Sequence, residues 1–258
     1  MPMIDFKISS KLLPLIVFSV FFISFNDIKN DFQVASSAVK ITFINTLNNA
    51  AIVLNDSMYI NPFGEKYTIT KLRYYITNVS FSNALNCSKE ENSYHLIDES
   101  EEASRSFSFN IPAGEYNSLQ FLLGVDSLHN VSGAQTDDLD PTKDMFWTWN
   151  SGYVMAKMEG NSKFSKLVNN KYEFHIGGYA GPYNVIKKIQ LEFKDKDVEF
   201  KPGKTTEIII NADINTWWSG AHDIKIAERA NITSPGKVAL EISDNYAKMF
   251  GIKKIISE

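Results

Sequence analysis

A single cysteine, Cys87, occurs in 258 residues. No disulfide can form within the chain, so its stability has to come from a packed core. Charge of one sign is also scarce: 26 Lys and Arg stand against 30 Asp and Glu, for a net −4. Binding nucleic acid requires clustered cations on phosphates, so no nucleic-acid partner is expected. Catalytic signatures are missing as well. There is no Gly-x-Ser-x-Gly elbow, HExxH helix, phosphate loop or dinucleotide fingerprint. The lone cysteine has no identifiable partner base, and nothing fixes a separation between carboxylates of the kind a glycosidase needs. The chain is therefore not expected to be an enzyme.

The N-terminus reads as an export signal. Lys7 and Lys11 precede an apolar run from Leu12 to Phe25, fourteen residues long, whereas a spanning helix needs roughly 20. Residues 1–38 are assigned to a signal peptide and short leader. Ser36-Ser37-Ala38 would end it just before the first strand, although Asn26 to Gln33 is long for the stretch before a cleavage point, and an uncleaved anchor is the alternative. Residues 39–258 are assigned to one domain. The mature protein is then periplasmic or secreted, with no stable membrane insertion after cleavage.

Hydrophobic content of 44% is ordinary for a globular protein. It is arranged in short β-branched and aromatic runs broken by turn residues. Val39 to Asn45 alternates with period 2, and Ala51 to Asn55, Leu72 to Phe81, Tyr94 to Ile97 and Phe107 to Ile111 follow. After the Pro112-Ala113-Gly114 turn come Leu119 to Val125, Tyr153 to Met158, Tyr172 to Ile176, Ile186 to Phe193 and Glu207 to Ile214. Pro202-Gly203-Lys204 is read as a tight turn joining the last two. This pattern predicts an all-β fold, an antiparallel β-sandwich or barrel-like domain with long loops. One short C-terminal helix is predicted over Val238 to Phe250, ended by Gly251. Ser82 to Ser106 reads as a polar loop with one strand inside it, and Asp126 to Asp144 as a long loop placed for function beside Trp147.

Chemistry concentrates between Leu123 and Gly160, which holds His129, five aspartates, and Trp147 and Trp149 spaced i, i+2. A second histidine, His175, follows in Phe174-His175-Ile176-Gly177-Gly178. Imidazole suits copper, zinc and nickel. In a strand, His175 lies opposite Phe174 and Ile176 and shares a face with Glu173 and Gly177. Singly, each histidine is more simply a surface or satisfied core residue, and the paired tryptophans an aromatic core cluster. Intact indole offers only an N–H donor and cannot ligate a metal. Asp126, Asp137, Asp138, Asp140 and Asp144 carry the oxygens calcium prefers, but their spacing does not match an EF-hand, and a solvated loop face is the simpler explanation. His95 and His222 stand in weaker contexts, the latter after the aromatic loop Trp217-Trp218.

Leu123-Gly124-Val125, His129-Asn130, Leu139-Asp140-Pro141, the string Met145-Phe146-Trp147-Thr148-Trp149-Asn150-Ser151-Gly152-Tyr153, and Phe174-His175-Ile176-Gly177-Gly178 together resemble the MbnP family over roughly residues 38 to 250. These are exported copper-binding proteins named for their association with methanobactin. The resemblance implies copper held by two imidazoles, His129 and His175, and by the amine of kynurenine formed when Trp147 or Trp149 is oxidatively opened. It also implies a partner, a di-haem enzyme resembling bacterial cytochrome c peroxidases (MbnH-like). This chain departs from the family's better-matched members in two places. Gly178-Tyr179-Ala180-Gly181-Pro182 stands where they continue with a cysteine, and the loop reads Leu128-His129-Asn130 in place of Asn-His. His95 is the reserve ligand. The alternative from another class is an extracellular carbohydrate- or protein-binding β-sandwich, with Trp217-Trp218 as an exposed stacking platform.

Overall fold

The structure is a computed structural model that describes residues 35–148, 150–193 and 197–257. Eleven strands carry the architecture: β1 (Ser36–Leu47), β2 (Lys66–Ser82), β3 (Tyr94–Asp98), β4 (Ser106–Pro112), β5 (Ser118–Leu123), β6 (Phe146–Thr148), β7 (Gly152–Asn161), β8 (Lys171–Gly177), β9 (Lys187–Glu192), β10 (Thr205–Asp213) and β11 (Phe250–Ser257). Two helices join them, α1 (Ser127–Asn130) and α2 (Lys237–Tyr246).

The smaller sheet runs β11-β10-β1, with β4 on the other edge of β1. The larger runs β9-β5-β2-β7-β8, with β3 added along β2 and β6 along β7. Alternation explains how they stack. Val39, Ile41 and Phe43 of β1 and Ile208, Ile210 and Ala212 of β10 are all buried and point to one side. The Phe43 ring meets Tyr74 of β2 at 6.2 Å and Phe121 of β5 at 6.1 Å, both edge-on. These contacts join the sheets through their inner faces, as a sandwich requires. A second aromatic group, Tyr67, Tyr172, Phe174 and Trp218, fills one end, where the Trp218 indole donates to the Tyr67 hydroxyl at 2.9 Å.

The all-β expectation holds, with several corrections. Pairing is not wholly antiparallel: β1 and β10 run parallel, from Ala38 opposite Thr205 to Thr46 opposite Asp213. Their wide separation in sequence leaves ample chain for the crossover that parallel neighbours need. Of Ala51 to Asn55, only Ala51 lies in a strand, paired with the end of β1. The Pro202-Gly203-Lys204 turn instead leads out of a short strand, Val198–Phe200, which pairs with Gly114–Tyr116. The C-terminal helix ends at Tyr246. Phe250 and Gly251 belong to β11, opposite Ala212 and Asn211, because the Ile-rich tail completes the edge of β10. The first strand also starts at Ser36, so Ser36-Ser37-Ala38 is already paired with β4. The apolar run Leu12 to Phe25 and Trp149 lie outside the described residues. No helix among the described residues is long and apolar enough to cross a membrane.

One feature of the fold positions the candidate site. Odd-numbered residues in the middle of β2 face away from the small sheet, yet Tyr75 among them is fully buried. The segment Asp126 to Asp144 covers that outer face. It is not structureless, for it contains α1 and two 3-10 turns, Asp137–Leu139 and Pro141–Lys143. Tyr75 donates to the Asp138 carbonyl at 2.9 Å and Tyr153 to the Leu139 carbonyl at 2.6 Å, which seals the cover.

Candidate metal centre

Strand register places a row of polar side chains under this cover. His175 of β8 lies opposite Lys157 of β7, which lies opposite Arg73 of β2, which lies opposite Asp98 of β3. The His175 Nε2 meets the Glu159 carboxylate at 2.8 Å. This contact, followed by opposing burial and by attraction to Lys71, holds Glu159 below the ordinary carboxylate range. Lys157 is only 2% exposed, and its ammonium reaches both the backbone carbonyl and, at 3.0 Å, the carboxylate of Asp144. Burial pushes the Asp144 carboxyl up, but Lys157 and Lys71 outweigh it and the net shift is downward. A buried cation of this kind must be paired, and here it pins the covering segment to β7.

His129 belongs to a second cluster under the same cover. Asp126 is the N-cap of α1, accepting the backbone N–H of Leu128 and of His129 at 3.1 Å each. The Asp126 carboxylate also lies 2.9 Å from His129 Nδ1, and the Tyr94 hydroxyl of β3 lies 2.6 Å from both. Burial raises the Asp126 carboxyl, but the contacts from Tyr94 and His129 more than reverse that and hold it low. Burial, and then Asp126, pushes the Tyr94 phenol far above its ordinary value. Beside this cluster lies a groove of about 360 Å³, lined by His129, Tyr94, Gln135 and Asp138.

The hairpin of β6 and β7 touches both histidine-bearing elements. Trp147 lies against Gly177, two residues from His175 on the same face of β8. A Cβ at Gly177 would come within 2.7 Å of the Trp147 Cη2 and 3.0 Å of the Tyr153 carbonyl, so only glycine admits the ring there. On its other flank, the Asn130 side chain at the end of α1 accepts from the Tyr153 backbone N–H at 2.8 Å and donates to the Val125 carbonyl at 2.7 Å. Gly152 turns the hairpin at φ +73°, with Asn130 and Tyr179 filling the space a side chain would need.

Of the residues singled out in the sequence, Trp147 and the strand of His175 are therefore brought together. His129 stands with Asp126 and Tyr94. The two histidines lie on one face of the large sheet and flank one hairpin, but they share no hydrogen-bond partner, and two strands separate β3 from β8. Among the described residues, no three His, Cys, Asp or Glu side chains form a group that could hold a metal ion. His95 is not brought to the site. It is next to Tyr94 in β3 and so points to the opposite face, where its ring stacks on Phe107 at 3.5 Å and its Nε2 meets Glu90. His222 lies beside Asp244 at 3.4 Å, half-exposed.

The aspartates of the covering segment are dispersed among separate partners. Asp138 accepts the Leu96 N–H, Asp140 caps Thr142, and Asp144 holds two lysines, so they do not form an oxygen cage. Trp217 and Trp218 are fully buried, which removes the exposed stacking platform of the carbohydrate-binding alternative. Sequence reasoning missed Tyr94 and Glu159 as parts of the constellation and took Asp126 only as a possible oxygen ligand, whereas Gly177 is placed on the face of His175 by alternation alone. Asp126 had a legible signal, a capping aspartate three residues before a histidine. Glu159 depends on strand register, which the sequence alone leaves open.

A family model for MbnP matches residues 36–235, a span that includes β1 to β10 and every residue of the constellation. No curated protein matches the chain. A solved structure, MbnP from Methylosinus trichosporium, superposes at a TM-score of 0.48 with 14% identity, covering 80% of this chain and 83% of that one. On the strength of the family match, the chain belongs to the MbnP family.

Proposed function

We propose that this protein is an exported copper-binding protein, with His129 and His175 as imidazole donors and a ring-opened tryptophan supplying an amine as the third. One observation carries the reading: the Trp147 hairpin is gripped on one side by α1, through Asn130, and on the other by β8, through Gly177. The element that would be modified therefore adjoins both elements that bear imidazoles. The ring of Trp147 lies against Gly177, two residues from His175 on the same strand.

The donor chemistry fits. Glu159 engages Nε2 of His175 and Asp126 engages Nδ1 of His129. A carboxylate on one ring nitrogen fixes the tautomer and leaves the other lone pair for a cation, the outer-shell arrangement common at histidine metal sites. Thiol-free imidazole and amine ligation suits copper in an oxidising compartment. Intact indole lacks the needed lone pair, so the third donor depends on a separate oxidising enzyme, a di-haem protein of the cytochrome c peroxidase kind. Copper is the cargo of such a site, and the protein itself performs no catalysis.

Purification from the native host tests this. Elemental analysis should find roughly one copper per chain, in keeping with a single mononuclear site. Peptide mass spectrometry should find the Trp147–Trp149 peptide shifted by indole ring opening. Copper-free protein with both tryptophans intact would contradict the proposal.

A further inference from the structure

We propose that the end of the sandwich formed by residues 58–66 and 161–171 docks on an anionic lipid surface. The loop between β7 and β8 has inverted polarity. Ser162 and Ser165 are turned inward, 4% and 6% exposed, while Phe164 and Val168 point outward at 43% and 81%. Beside them Met58 and Ile60 are 62% and 55% exposed. Isolated apolar side chains on a surface need no explanation, but four on one end do.

The exposure is built in. Ser162 Oγ donates to the Lys66 carbonyl at 2.7 Å, Ser165 Oγ donates to the Lys171 carbonyl, and Tyr172 donates to the Thr68 carbonyl at 2.9 Å. Asn169 and Asn170 take the left-handed backbone that closes the loop, at φ +59° and +55°. The loop thus spends its polar groups on backbone carbonyls of β2 and β8 and offers its apolar ones to the outside.

Charge identifies the occupant. Lys66, Lys163, Lys166 and Lys171 are exposed at this end, and among the described residues none has a carboxylate within ion-pair distance. The chain as a whole is acidic at −4, so this concentration of cations runs against its composition. A groove of about 580 Å³ between Met58, Lys66, Asn161, Lys163 and Asn169 has no acidic lining residue. Protruding apolar tips ringed by lysines match an interface in which side chains enter the acyl boundary while ammonium groups meet anionic headgroups. The strand β7 runs ten residues from this end to the Trp147 hairpin, roughly 30 Å. Docking would leave the hairpin facing away from the lipid.

Sedimentation of the full chain with phosphatidylcholine vesicles, with and without phosphatidylglycerol, tests the proposal. Binding should require phosphatidylglycerol and weaken with salt. Each lysine contributes roughly fivefold to such partitioning, so Lys163→Glu with Lys166→Glu should weaken it about 25-fold or more. Phe164→Ser with Val168→Ser should weaken it about tenfold or more, with circular dichroism unchanged in both variants. The N-terminal apolar run is common to all of these proteins. Variants that bind like the parent would assign any binding to that run and overturn the proposal. Equal binding to both vesicle types would overturn it too. So would capture by polyglutamate without capture by vesicles, which would make this end a site for an acidic protein.

Discussion

The contact between Trp147 and Gly177 offers a quantitative test, because a single methyl group is enough to break it. Gly177→Ala would put a Cβ within 2.7 Å of the ring and 3.0 Å of the Tyr153 carbonyl, both inside normal contact distance. The carbonyl belongs to the neighbouring strand and cannot retreat cheaply, so the indole must move. Overpacking a filled site costs about 1–3 kcal/mol. Replacing a strand glycine returns about 0.5–1 kcal/mol of backbone entropy. Mid-range values leave a net loss of about 1 kcal/mol, or about 2–4 °C in Tm for a domain of this size. Urea unfolding followed by circular dichroism would measure it. A double-mutant cycle with Trp147→Ala sharpens the test: with the ring gone, most of the cost of the alanine should vanish, leaving a coupling of about 1 kcal/mol or more. If Gly177→Ala is as stable as the parent to within about 0.5 kcal/mol, or if its cost is the same without Trp147, the ring does not rest on this glycine.

Two further outcomes follow from carboxylates held by hydrogen bonds and ion pairs. Glu65 is 3% exposed and accepts the backbone N–H groups of Ile226 and Ala227 at 2.7 and 2.9 Å and the Asn61 amide at 2.6 Å. Glu65→Ala should cost about 2–5 kcal/mol and speed hydrogen exchange at residues 226 and 227, with Glu65→Gln intermediate. Glu159, Asp126 and Asp144 are all held below the ordinary carboxylate range in the folded state. Because their folded values are the lower ones, the stability they contribute is complete above the unfolded value of about 4 and is lost as pH falls through their folded values. The contribution of these three to the urea midpoint should be flat from about pH 7 to 5 and decline below about 4. Glu159→Gln should lower the neutral midpoint and make that decline shallower, whereas an unchanged slope would show that the contact with His175 contributes nothing.

The fold was legible in the sequence wherever alternation was strong. Val39 to Phe43 and Glu207 to Ala212 carry a period-2 pattern that only a half-buried strand explains, and both lie in the sandwich core. The tail was misread because Val238 to Phe250 and the Ile-rich segment after it compete for the same residues. Helical spacing through Tyr246 and Phe250 hid the demand of β10 for an edge partner, which is a tertiary fact. The partners of β1 were hidden for the same reason, since β10 pairs with it in parallel across more than half the chain. Within the candidate site, histidine and tryptophan types were readable directly. Tyr94 was not, because nothing local ties it to Asp126 and His129. His95 was a reasonable reserve only until alternation along β3 set it on the face opposite Tyr94. Trp217-Trp218 looked like an exposed pair, yet the aromatic cluster around Tyr67 and the packing of Tyr246 on Trp217 take both inside.

Copper titration of the fully modified protein, with His129→Ala and His175→Ala beside it, addresses the central claim most directly. If both imidazoles serve one ion, the parent should take up roughly one equivalent and each alanine variant should lose at least tenfold in affinity, the equivalent of about 1.4 kcal/mol. Two variants that each keep a full equivalent at parental affinity would show that His129 and His175 do not hold a common metal.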